Sequence, residues 1–148
     1  MSVIEARWRK RQSRYEDGIY FGTDDLVELC GTPSEGYRAD VRAPVAMLLQ
    51  SAPDGWTDLD ETCSARVGEY QLFAGSTSWE GAGFVAVEQQ STERLLWLLH
   101  LAEAEPFTEI SAHGDTIHAV SGEYPFRCEW HIPLHSPESF TVTRVRIT

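Results

Sequence analysis

The chain has 148 residues, 42 % hydrophobic and 24 % charged, with a formal net charge of −11. That length suits a single domain over 1–148 whose core needs no covalent staples, and the ordinary hydrophobic content excludes a disordered chain. No apolar run approaches the roughly 20 residues of a membrane-spanning helix, and the acidic balance argues against nucleic acid and membrane phosphates and in favour of a basic partner.

The charge is uneven. Arg7, Arg9, Lys10, Arg11 and Arg14 against Glu5 give the first 14 residues +4, so the remainder carries −15. Residues Ser2 to Tyr15 fit two patterns. Ile4, Trp8 and Tyr15 share a helical face, while Ile4, Ala6 and Trp8 alternate with Glu5, Arg7 and Arg9. The alternation favours an extended segment, so 1–17 reads as a basic arm or edge strand. Its basic residues follow a very short apolar stretch, the reverse of a secretory signal. Cys30, Cys63 and Cys128 match no zinc spacing, and an odd count fits a reduced, cytoplasmic setting with buried thiols, Cys63 the most exposed of them.

Further along, Asp17-Gly18 marks a turn. Ile19–Phe21 and Leu26–Cys30 read as strands, and Ser34–Arg38 as a loop. Pro44–Gln50 is the best short helix, with proline in its first turn, although a strand continuing from Val41 fits as well. Ala52-Pro53-Asp54-Gly55 is a turn, and Trp56–Ser64, which lacks periodicity, reads as an exposed loop.

From Glu69 the pattern is β. Tyr70–Ala74 and Phe84–Gln89 are strands. Leu95–Leu101 could be a helix capped by Ser91, but that helix would have no clean polar face, so a central strand paired to Phe84–Gln89 is expected. Phe107–Ala112 and Thr116–Ser121 flank His113-Gly114-Asp115 as a hairpin. Phe126, Cys128, Trp130 and Ile132 alternate with Arg127, Glu129 and His131. In the last strand, Phe140–Thr148, Phe140 and Val142 share one face and Val145 and Ile147 the other, which suggests a bulge or a switch of buried side. Short turns between strands imply a mainly β fold, an antiparallel sandwich or barrel-like meander with at most one or two short helices. Trp97, Trp130, Phe84, Leu72 and Leu99 are expected to share its core.

No catalytic or cofactor motif occurs. There is no nucleophile elbow and no calcium loop. Gly81-Ala82-Gly83 lacks the third glycine and following helix of a dinucleotide site, and the single lysine, Lys10, lies in no phosphate loop. No cofactor is expected. His131 and His135, with Asp115, are the best metal-ligating set and the basis of a metal-dependent enzyme reading, but Pro133 separates the two histidines and His113, His118 and His100 are scattered. The leading expectation is a non-catalytic protein that binds a basic macromolecule through Asp54, Trp56, Asp58, Asp60 and Glu61, where clustered carboxylates surround an aromatic anchor. Size and charge alone liken it to bacterial immunity proteins; no residue motif does. The alternative is a small-ligand or carbohydrate-binding sandwich or barrel with Tyr37, Trp56 and Trp79 as stacking platforms.

Overall fold

A computed structural model of the chain describes residues 1–79 and 81–147. The fold is mainly β, with two antiparallel sheets and two short α-helices among the described residues. In chain order the elements are α1 (Val3–Arg9), β1 (Gln12–Arg14), β2 (Gly18–Phe21), β3 (Asp25–Thr32), β4 (Gly36–Pro44), α2 (Val45–Ser51), β5 (Trp56–Val67) and β6 (Tyr70–Thr77). They continue with β7 (Gly83–Gln89), β8 (Arg94–Leu101), β9 (Phe107–His113), β10 (Thr116–Ser121), β11 (Phe126–Pro133), a 3-10 turn (Pro137–Ser139) and β12 (Thr141–Arg146). The large sheet has the order β1-β5-β6-β7-β8-β2-β3-β4, and the small one β12-β11-β10-β9.

The large sheet is curled. β1 pairs with β5 and β2 pairs with β8, yet only Tyr15, Glu16 and Asp17 join β1 to β2. In a flat sheet those two strands would stand five spacings apart, about 24 Å. The link can reach only about 14 Å when fully extended. The strands from β5 to β8 must therefore bend round until β1 and β2 meet, as in a barrel.

Both faces of the curled sheet are buried at its centre. One face packs on the small sheet: Leu72, Val85, Val87, Trp97 and Leu99 meet Ile117, Ala119, Trp130 and Ile132. The other holds Tyr20, Phe84, Ala86, Leu95 and Leu98 around Ile4 and Trp8 of α1. Phe84 is thus fully buried, but on the opposite side of the sheet from Trp97, Trp130, Leu72 and Leu99, which do pack together. The buried indole N–H groups find acceptors: Trp97 donates to the Leu134 carbonyl at 2.8 Å and Trp130 to Ser121 Oγ at 2.8 Å.

Leu95–Leu101 lies in β8, paired with β7, because each of its sides meets a core. The α2 helix begins directly after Pro44. In the β9–β10 hairpin His113 pairs with Thr116, so the turn proper is Gly114-Asp115, with Gly114 at φ +58.

Five local expectations are corrected. Val3–Arg9 is a helix rather than an arm; Ser2 Oγ accepts from the Glu5 N–H at 3.0 Å, and the Asp24 carboxylate accepts from the N–H groups of Val3 and Ile4 at 3.0 and 2.9 Å. Only Gln12–Arg14 of the basic segment is an edge strand. The stretch Trp56–Ser64 is a strand, not a loop. Its pairing with β6 shifts between Glu61 and Cys63, which turns Leu59 toward α1 but Cys63, Ala65 and Val67 toward the small sheet. β4 begins at Gly36, inside the stretch read as a loop. The register of β11 with β12 is unbroken from Phe126↔Arg146 to His131↔Thr141, so β12 has no bulge and Val145 lies on its outer side; Thr148, the end of the expected strand, lies outside the described residues. Cys30, rather than Cys63, is the exposed thiol.

Candidate functional site

The curl places three distant pieces of chain at one rim. The β1–β2 link brings Tyr15, the turn before β5 brings Pro53 to Trp56, and the segment after β6 brings Trp79. Together with Ala52 they line an open cleft of about 460 Å³. Tyr15 and Trp79 stack, with ring centres 5.4 Å apart and planes at 20°. Large aromatics usually sink into a core, yet Trp79 is 54 % exposed and Tyr15 38 % exposed.

Backbone contacts fix the cleft. Tyr15 N–H donates to the Gly55 carbonyl at 3.2 Å, and Trp56 Nε1–H to the Pro53 carbonyl at 3.1 Å. Trp79 N–H donates to Thr77 Oγ1 at 3.1 Å. Gly55 allows close approach: a Cβ there would lie 2.2 Å from Tyr15 Cε1 and 2.6 Å from Arg14 Nη2. The Arg7 guanidinium already covers one side of Trp56, 4.4 Å from its ring centre. Asp54 stands exposed among the lining residues.

Behind the cleft lies a buried polar group of side chains. Arg14 has no exposed surface; its Nε and Nη2 donate to the Glu16 carboxylate at 2.9 and 2.7 Å, while Nη1 has no partner among the described residues. Tyr20 donates its hydroxyl to the Glu16 carbonyl at 2.8 Å, and burial raises its pKa well above the ordinary phenol value. His100 is fully buried with neither ring nitrogen in a hydrogen bond of good geometry among the described residues, and burial lowers its pKa to about 4 against the opposing pull of Glu16.

No family model, curated protein or solved structure matches this chain. The site rests on its own residues.

Of the acidic set, only Asp54 and Trp56 reach the cleft. Asp58 and Asp60 are exposed on β5, and Asp58 accepts from the Gln12 side-chain amide at 3.2 Å. Glu61 is paired with Arg11 at 3.4 Å, and Arg11 in turn lies 3.9 Å over the Trp8 ring. The basic N-terminal segment thus serves two of the four acids.

Of the aromatic set, Trp56 and Trp79 converge, but Tyr37 does not. It packs inside the sandwich against Trp130 and Phe140, at 6.0 and 5.5 Å between ring centres, and burial raises its pKa.

The metal set is not assembled. His135 packs on Tyr70 at 5.8 Å, His131 sits on β11, and Asp115 is in the β9–β10 turn. Among the described residues no group of three or more histidines, cysteines and carboxylates converges. Tyr15 and Gly55 escaped the sequence reading, because only the pairing Arg14↔Trp56 reveals that these stretches are neighbours.

A second concavity, of about 470 Å³, is lined by Glu35, Glu103, Glu105 and Glu123, with Arg144 among them. It is strongly acidic, but Arg144 lies 3.7 Å over the Phe126 ring and occupies that aromatic face.

Proposed function

We propose that this chain is a non-catalytic binding module for a basic partner, and that the Tyr15–Trp79 cleft is its anchor point. The carrying observation is the exposed, stacked Tyr15–Trp79 pair in a cleft that the exposed Asp54 also lines. An arginine or lysine side chain laid on the free aromatic face gains a cation–π contact while its charge meets Asp54. The net charge of −11 draws such a partner in. The Arg7 guanidinium on Trp56 is an internal instance of the same chemistry. Asp60, exposed on β5, extends the negative surface.

A second reading is favoured by one detail. The near-parallel stack presents a flat apolar face, the shape on which a sugar ring packs.

The test titrates the protein with an arginine-rich octapeptide, a glutamate-rich octapeptide and a neutral oligosaccharide, read by tryptophan fluorescence. The proposal expects binding of the arginine peptide alone, weakening steeply with added salt. Trp79→Ala should weaken it about 30-fold, as loss of an aromatic hot spot does. Salt-insensitive binding of the oligosaccharide would replace this reading with the second. Arginine-peptide binding that survives Trp79→Ala but is lost in Glu103→Gln/Glu105→Gln would move the site to the acidic concavity and overturn the cleft.

A further inference from the structure

The outer face of the small sheet carries a feature that the aromatic cleft does not use. His118 of β10 and His131 of β11 stand directly opposite one another in register. Their neighbours Ile117, Ala119, Trp130 and Ile132 point into the core, so by the two-residue period of a strand both histidines point outward. His131 is exposed and His118 half-buried. The ring centres are 4.9 Å apart, with planes at 35°.

We propose that His118 and His131 chelate one late first-row divalent metal ion, Zn²⁺, Ni²⁺ or Cu²⁺, with water completing its coordination. Imidazole is a preferred ligand of these ions. With metal–nitrogen bonds of about 2.0–2.1 Å and a ring nitrogen about 1.2 Å from its ring centre, two imidazoles on one ion place their centres about 4.5 Å apart at a right angle and about 5.3 Å apart at the tetrahedral angle. The observed 4.9 Å lies between the two. Two strands fix the spacing: the pair sits mid-ladder, between Ile117↔Ile132 and Ala119↔Trp130, so the backbone is already positioned for both ligands. The next residues across the sheet are Ser111 beside His118 and Thr141 beside His131. Both are small, and leave the remaining coordination positions open to water. The pair involves neither His135 nor Asp115.

The test is calorimetric titration of the full chain with zinc chloride, with nickel chloride in parallel and magnesium chloride as the oxygen-preferring control. One zinc ion per chain is expected, and no magnesium. Removing one of two linked ligands forfeits the gain of the second attachment, so His118→Ala and His131→Ala should each weaken zinc binding by roughly a hundredfold. His135→Ala and His113→Ala should leave it unchanged. Melting curves of each variant without metal show whether it is folded, and both positions are outside the core. No saturable heat up to about 1 mM zinc, about −4 kcal/mol of binding, overturns the proposal. So does binding that persists in His131→Ala, or that disappears in His135→Ala.

Discussion

His100 is fully buried, and both of its ring nitrogens lack a well-formed hydrogen bond. Desolvation lowers its pKa to about 4, below the ordinary 6.5, so the fold accepts the neutral ring and rejects the charged one. The unfolded chain therefore binds more protons between those two values, and stability should be complete above pH 6.5 and fall as the pH drops from 6.5 to 4. By linkage the loss is about 3 kcal/mol over that window. His100→Leu removes two buried polar atoms that lack a well-formed hydrogen bond among the described residues, so it should be neutral or stabilising at pH 7. It should also flatten this part of the acid profile. Denaturant unfolding of the wild type and the variant at pH 4, 5, 6 and 7 measures both effects; identical slopes in the two proteins would contradict the assignment.

At the scale of elements, Asp24 ties the two helices together. It sits at φ +66, its carboxylate accepts from Val3 and Ile4 at the start of α1, and its carbonyl accepts from Val45 at the start of α2, at 2.8 Å. Asp24→Ala should destabilise the protein by about 2 kcal/mol, from the lost cap and the left-handed backbone that alanine tolerates poorly. Asp24→Asn, which keeps a side-chain oxygen and tolerates that backbone, should cost less. Chemical unfolding ranks the three proteins, and an alanine cost within about 0.5 kcal/mol of zero, as at an ordinary surface site, would show that the cap is idle.

This is also the scale at which the sequence is legible or not. β8 could be read because Leu95–Leu101 is apolar on both sides and too uniform for a surface helix. The β9–β10 hairpin announced itself through Gly114. α1 misled because Ile4 and Trp8 are four apart, a spacing common to one helical turn and to two strand repeats. The Ser2–Glu5 cap is a local helix signal that the alternation outweighed, and the second cap, Asp24, lies twenty residues downstream of Ile4, where no local pattern contains it. β5 was hidden by its shift at Glu61–Cys63, which resets the alternation halfway along. The cleft was half legible. Trp56 and Trp79 stand out as aromatics in turns, but Tyr15 joins them only through a sheet that bends round on itself. His118 and His131, thirteen positions apart, become neighbours only once the β10–β11 register is known.

Across the whole molecule, the link Tyr15–Asp17 is a fastener, and its Tyr15 is part of the proposed binding surface. Tyr15 N–H is held by Gly55, and the Asp17 carboxylate accepts from Ala102 N–H at 2.7 Å, so three residues clamp the rim of β5 to the end of β8. A partner resting on Tyr15 therefore loads the seam where the curled sheet closes. Seen in time rather than in space, such a seam works as a latch, and under the proposed function an occupied cleft should hold it shut. Amide hydrogens of β1 and β2 should exchange with solvent more slowly when the arginine peptide is bound, by a factor that grows with peptide concentration. Those of β10 and β11, on the far side of the sandwich, should keep their rates. Slowing spread evenly over both sheets would mean that binding tightens the whole fold, and that the latch is not the element it acts upon.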